Sequence, residues 1–222
     1  MASLLSLWPT SWSRQQKSSA TMITASIALL LILWLITIPL AMAPEPIGNN
    51  AELFARGTRV TVQLTLVAGV VGVVLGVVAA LGKVSRFAVL RWAAGFYIWV
   101  MRGTPLLVQV LFVYFALPEI SPWLRFDEFS AAALALALNV GAYNAEAIRA
   151  GLLAVPKGQM EAARSLGLSR WHTFIDITFP QAFKISLPPL VNNIVALLKD
   201  SSLAFTIGVV ELTNAGSQVK ST

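Results

Sequence analysis

Four ionisable side chains, Arg102, Glu146, Lys199 and Asp200, lie in or beside stretches apolar enough to cross a bilayer. A charge at mid-membrane costs at least about 2.5–3.5 kcal/mol, so such groups face other helices or a polar cavity. Spacing sorts them with neutral polar neighbours. Asn139, Tyr143 and Glu146 stand at i, i+4 and i+7, which is one face of one helix. Asn193 and Asp200 share another face, with Asn192 and Lys199 on the adjoining one. Acids mixed with cations and amides suit non-covalent chemistry. A small zwitterionic solute needs a carboxylate for its ammonium and donors for its own carboxylate. The same residues equally fit a second reading as interhelical glue, at about 0.6 kcal/mol per hydrogen bond. Glu146, near the inner end of its span, has Arg149 and Lys199 as candidate ion-pair partners.

Covalent chemistry finds less support. The chain has no cysteine, which excludes disulfides, thiolate metal sites and cysteine nucleophiles. Its one histidine, His172, leaves little room for a histidine metal site or triad, and reads as a surface or docking contact. No Ser/His/Asp set or carboxylate pair with reactive spacing is visible, so a membrane enzyme is disfavoured.

Composition dictates what must position these groups. Charged residues make up 12% of the chain against about 25% in soluble domains, and 57% of residues are hydrophobic. Such a chain cannot cover itself with polar surface, so it is an all-α integral membrane protein. Five spans are expected, at about 22–42, 58–82, 93–117, 129–150 and 187–210. The first is longer than the apolar core of a signal peptide. It reads as a retained anchor, although residues 41–43 resemble a cleavage site. The second carries Gly69, Gly72 and Gly76, a small-residue stripe that lets helices approach closely in lipid. The third is broken at Arg102, Gly103, Thr104 and Pro105, because Pro105 removes a backbone donor and Gly103 weakens the helix further. Freed backbone groups at membrane depth need protein or a water-filled cavity to satisfy them.

Charge sets the orientation. Segments expected inside hold Arg14, Lys17, Lys83, Arg86, Arg91, Arg149, Lys157, Arg164, Arg170 and Lys184. Those expected outside hold only Arg56, Arg59, Arg125 and Lys220. By the positive-inside rule the N-terminus is cytoplasmic. The net charge of +6 is therefore topological and does not indicate nucleic acid.

Between the fourth and fifth spans runs a polar inner loop. Lys157 to Leu166 are good helix formers after Pro156, and Gly167 can close that helix. A second short helix is expected from an N-cap at Ser169 to a stop before Pro180. This two-helix loop has the look of a docking surface. The run Glu161-Ala162-Ala163, then Gly167, then Ile177, Phe179 and Pro180, resembles the coupling loop of ABC-importer permease subunits.

Further motifs sharpen the resemblance. Met101-Arg102-Gly103-Thr104-Pro105 with Gln109, Tyr143 to Glu146, Pro156-x-Gly158-Gln159-x-Glu161, and Lys199-Asp200-Ser201 look like the polar amino-acid branch of those permeases, the histidine/glutamine/arginine type. The similarity runs from about Gly57 to Ser217. It implies the type I importer transmembrane domain over residues 56–222. Residues 1–55 would form an N-terminal cytoplasmic tail, an extra span and an outer loop.

It also implies a membrane-spanning subunit that passes amino acids into the cytoplasm, in a bacterial inner membrane. The implied partners are two ATPase subunits, a second identical or homologous permease, and an extracytoplasmic amino-acid-binding protein. No cofactor would bind this chain, since ATP and Mg are used by the ATPase. Gly158, Glu161, Ala162, Ala163, Gly167 and Pro180 would serve ATPase coupling. Motif residues and polar stripes together give the candidate substrate pathway. They are Arg102, Gly103, Thr104, Pro105 and Gln109, then Asn139, Tyr143 and Glu146, then Asn193, Lys199, Asp200 and Ser201.

The family pattern continues into a last span beyond Thr222, so the domain is expected to be C-terminally incomplete. A secondary transporter or channel could also use a broken helix with buried charges. It would gain nothing from the inner loop, because it has no ATPase to dock.

Overall fold

The computed structural model describes residues 9, 13–35 and 44–220, and the described residues form helices and connecting turns. Helix α1 spans Arg14–Leu35. The expected first span, 22–42, is thus helical as far as Leu35; residues 36–43, including the cleavage-like 41–43, lie outside the described residues, as does Thr222. Helices α2 (Ala51–Val84), α3 (Ala88–Gly103), α4 (Leu106–Ile120) and α5 (Glu128–Ala154) follow. Then come α6 (Lys157–Ser165), α7 (Arg170–Ile207) and α8 (Leu212–Lys220).

Length and hydropathy qualify α2, α5 and α7 as spans, and the bent pair α3–α4 adds a fourth if it counts as one. Helix α2, with 34 residues, is about 51 Å long. That exceeds the roughly 30 Å hydrocarbon core, so its polar first turns, with Glu52 and Arg56, extend beyond the lipid. Val70, Val74 and Val78 stay exposed along one flank of α2.

Small residues set the central contact. A Cβ on Gly72 would lie 2.3 Å from Val140 Cγ1, and one on Gly76 would lie 2.6 Å from Asn144 Cβ. Helices α2 and α5 therefore run in the same direction at backbone-to-backbone distance, as the glycine stripe suggests. Gly69 differs: its hypothetical Cβ would meet only Leu197 Cδ2 on α7, at an ordinary 3.6 Å. On the other side of α5, Gly151 receives Ser186 of α7, whose hydroxyl donates to Ala147 O at 3.2 Å. Tyr97 of α3 donates to Leu138 O on α5 at 2.6 Å. Helix α5 is thus the central post, touched by α2, α3 and α7.

Local chemistry fixes the helix ends. The Asp127 carboxylate caps α5 by accepting from Ser130 N at 3.2 Å, and this bonding lowers its pKa. Pro156 follows Val155 and stops α5. One expectation fails at Pro180. The helix from Ser169 does not stop there; it continues as α7 into the last described span. A π turn at Thr173–Thr178 precedes the proline and shifts the bonding register. Pro180 then falls at the start of the following α segment, where a missing N–H is tolerated. The helix that carries the span expected at 187–210 consequently begins at Arg170 and ends before Gly208, whose φ is +94°.

Candidate functional site

The break in the third span bends α3 against α4 by 108°. Its cause is local. Thr104 and Pro105 are both extended, so the helix cannot pass through them. The freed carbonyls find side chains. Gln109 Nε2 donates to Met101 O at 2.8 Å, Thr104 O at 3.0 Å and Thr104 Oγ1 at 2.9 Å. Asn139 Nδ2 donates to Met101 O and to Gln109 Oε1, both at 3.2 Å. These amides do inside the membrane what water would do outside it.

A cavity of about 550 Å³ opens at this bend. Its wall includes Arg102, Gly103, Thr104 and Pro105 from the break, Asn139 and Tyr143 from α5, and Asn193 and Asp200 from α7. A cation and an acid therefore face one space. The Arg102 guanidinium sits 5.1 Å from the centre of the Tyr143 ring, a cation–π contact of about 0.5–1 kcal/mol at an accessible site. Asn193 Nδ2 donates to Asn144 Oδ1 at 2.9 Å, which holds α7 against α5 on the cavity's edge.

The other candidates fall elsewhere. Gln109 is buried and wholly occupied in bracing the break. Glu146, one turn beyond Tyr143, leaves the cavity and binds Arg149 at 2.6 Å. Lys199 and Asn192 are exposed on a different face of α7. Ser201 is fully buried and donates to Leu198 O at 2.8 Å. Two residues carry weight that spacing did not reveal. Asn144 is a buried amide one residue off the Asn139–Tyr143 stripe. Glu211 is 1% exposed and accepts from Thr213 N and Asn214 N at 2.8 Å, capping α8. Burial pushes its carboxyl pKa up, against the lowering effect of those N–H groups. Helix α8 packs on α2, with Leu212 N donating to Thr61 Oγ1 at 3.1 Å.

A second candidate surface surrounds α6. Gly167 has φ +79°, and its N–H donates to Arg164 O while Leu168 N donates to Ala163 O. This is a Schellman cap. Ala163 is buried against the rest of the loop, whereas Gly158, Glu161 and Ala162 are exposed. Leu166 is 82% exposed and Trp171 68%, large apolar groups presented beside a polar helix. Gln159 of α6 accepts from Gln181 Nε2, and Gln181 also donates to Ile177 O. His172 is exposed, with Nδ1 2.9 Å from Ser169 Oγ.

Comparison with known proteins places this geometry. Residues 72–220 match the model of the family described as "binding-protein-dependent transport system inner membrane component". The L-cystine transport system permease protein TcyB of Bacillus subtilis (strain 168) is 40% identical over 167 residues, covering 75% of this chain and 70% of that protein. The arginine transport system permease protein ArtQ of the same organism is 42% identical over 154 residues, covering 69% and 70%. The crystal structure of an amino acid ABC transporter with histidines superposes with a TM-score of 0.73 at 40% identity, covering 78% of this chain and 80% of that one.

Proposed function

Because this chain belongs to the family of binding-protein-dependent transport system inner membrane components, and is a permease subunit of an ABC importer, we propose that it passes amino acids through the cavity at the α3–α4 break. The observation that carries this reading is Arg102 and Asp200 facing one space of about 550 Å³. The similar permeases are named for cystine and arginine, whose side chains differ but whose α-ammonium and α-carboxylate are shared. Asp200 suits the first group and Arg102 the second. Asn139, Tyr143 and Asn193 add neutral donors and acceptors between them. Gln109 and Ser201 hold the cavity's frame, and Glu146 and Lys199 lie outside its wall.

Helix α6 is the coupling helix in this reading. Its exposed face, with Glu161 and the neighbouring Leu166 and Trp171, docks on an ATPase subunit that binds ATP and Mg. Two permeases, two ATPases and an extracytoplasmic binding protein complete the importer, in a bacterial inner membrane with α6 on the cytoplasmic side. The expected five spans are those of α1, α2, the bent pair, α5 and α7.

The test is amino-acid uptake by the assembled importer in proteoliposomes. Asp200→Asn and Arg102→Gln are expected to lower uptake at least tenfold while the ATPase stays bound. Unchanged uptake kinetics in both variants overturns the cavity assignment. Glu161→Lys is expected to abolish ATP hydrolysis stimulated by the binding protein; normal stimulation overturns the docking assignment.

A further inference from the structure

A cleft of about 710 Å³ between α2 and α3, whose lining includes no residue of the cavity at the α3–α4 break, combines two cations with three large aromatic rings. Lys83 and Arg91 lie at one end, and Trp92, Phe96 and Trp99 continue along α3. The aromatics fall at i, i+4 and i+7, so they form one stripe. Trp92 and Phe96 stack with planes 4° apart, and Trp92 is 77% exposed and Trp99 72%.

Gly95 shapes the cleft. A Cβ there would lie 2.5 Å from Lys83 Nζ, so the missing side chain lets the ammonium rest against α3. Among the described residues Lys83 makes no hydrogen bond or ion pair. Glu146 lies near enough to feel its charge, but that carboxylate is held by Arg149. Arg91 donates from Nη1 to Ser85 O and Arg86 O, which closes the α2–α3 turn and aims the guanidinium.

We propose that this cleft binds the headgroup of an anionic phospholipid, with Lys83 and Arg91 on the phosphate and Trp92, Phe96 and Trp99 along the glycerol and upper acyl chains. Three observations select a lipid. The cations sit at the ends of apolar helices, where headgroups lie, and tryptophans favour that level. The aromatic half of the cleft has nothing to bind in a free phosphate ion. Among the described residues Lys83 has no acidic partner of its own, so a headgroup phosphate meets a cation that no hydrogen bond or ion pair holds. Because α2 and α5 run in the same direction, the cleft lies at the α6 end of the bundle. The lipid would therefore stiffen the α2–α3 corner on the side where the ATPase docks.

The experiment is native mass spectrometry of the detergent-purified importer, titrated with dioleoylphosphatidylglycerol or dioleoylphosphatidylcholine. Phosphatidylglycerol is expected to bind at least tenfold more tightly. Lys83→Gln should weaken it about fivefold, the worth of one cation at a membrane surface, and Lys83→Arg should restore it. Arg86→Gln removes the same charge from the same turn; Arg86 lies over the Phe87 ring, outside the cleft, so its effect should stay under twofold. Equal affinity for the two lipids overturns the proposal, as does an equal loss in Lys83→Gln and Arg86→Gln. Competition by millimolar inorganic phosphate would reassign the cleft to a free anion. A cross-link from position 99 to another protein chain would show that protein covers it.

Discussion

Gln109→Leu separates a brace from a solute contact. The substitution keeps the volume and deletes four hydrogen bonds, three donated to Met101 O, Thr104 O and Thr104 Oγ1 and one accepted from Asn139 Nδ2. At about 0.6 kcal/mol each in a membrane protein, their loss amounts to about 2 kcal/mol. Met101 O keeps Asn139 as a donor. Thr104 is exposed to the cavity, so water replaces part of what its carbonyl loses and the total stays near about 2 kcal/mol. For a chain of this size that is a fall in Tm of about 4–8 °C, measured by thermal unfolding in lipid-supplemented detergent. Asn139→Leu should cost less by itself. The double variant should cost less than the sum, because the two amides bond each other and share Met101 O. An unchanged Tm in Gln109→Leu, or strict additivity in the double variant, refutes the claim that these amides hold the bend.

Gly76→Ala should destabilise by about 1–3 kcal/mol, since its Cβ would press on Asn144 Cβ and the Ala145 backbone, whereas Gly69→Ala has ordinary room and should stay within about 0.5 kcal/mol; thermal unfolding compares them. Gly167→Ala forces a left-handed φ on alanine at a cost of roughly 1–2 kcal/mol. It should fray the end of α6 and lower ATP hydrolysis stimulated by the binding protein, whereas Gly158→Ala, with open space around it, should not. Glu211 has a carboxyl pKa raised in the folded state by burial, so the folded protein holds its proton more tightly. Its contribution is present below the ordinary carboxylate pKa and is lost as pH rises through the raised value. Amide exchange of residues 212–220, corrected for intrinsic rates, should accelerate across that window in the wild type and lose the pH dependence in Glu211→Gln.

The sequence made the break legible because proline and glycine act locally: Pro105 interrupts a helix whatever surrounds it. Helical spacing was just as reliable where the helix is regular, and it put Asn193 and Asp200 on one wall of one cavity. The Asn139, Tyr143 and Glu146 stripe held for its first two members. Glu146 left it because Arg149, three residues on, offers an ion pair that no face diagram weighs. Pro180 misled for the opposite reason. A proline is a stop only if the backbone register is α, and the π turn at Thr173–Thr178 changes the register before the proline arrives. Asn144 and Glu211 were illegible because their importance depends on partners 49 and 2–3 residues away. One lies one residue off the polar stripe of its helix and the other beyond the last expected span.

These exceptions bear on how the two candidate surfaces communicate. Had α7 stopped at Pro180, the loop would have been a hinged flap, free to move without disturbing the cavity. Instead α7 continues as one helix from Ser169, beside α6, to Asp200 in the cavity wall, although Pro180, Pro188 and Pro189 each leave out a backbone donor. Helix α5 likewise carries Asn139 and Tyr143 in that wall and ends two residues before α6 begins. Ser186 seated over Gly151, with its bond to Ala147 O, clamps the two helices between those ends. Gln159 and Gln181 tie α6 to the base of α7. A push on α6 therefore cannot be absorbed in a loop. It must displace α5 and α7 together, and with them the groups that face the cavity. Close-packed helices move as bodies and not by bending, so the give in the assembly falls between these two rods and the bent α3–α4 pair. The amides of Gln109 and Asn139 sit at that boundary.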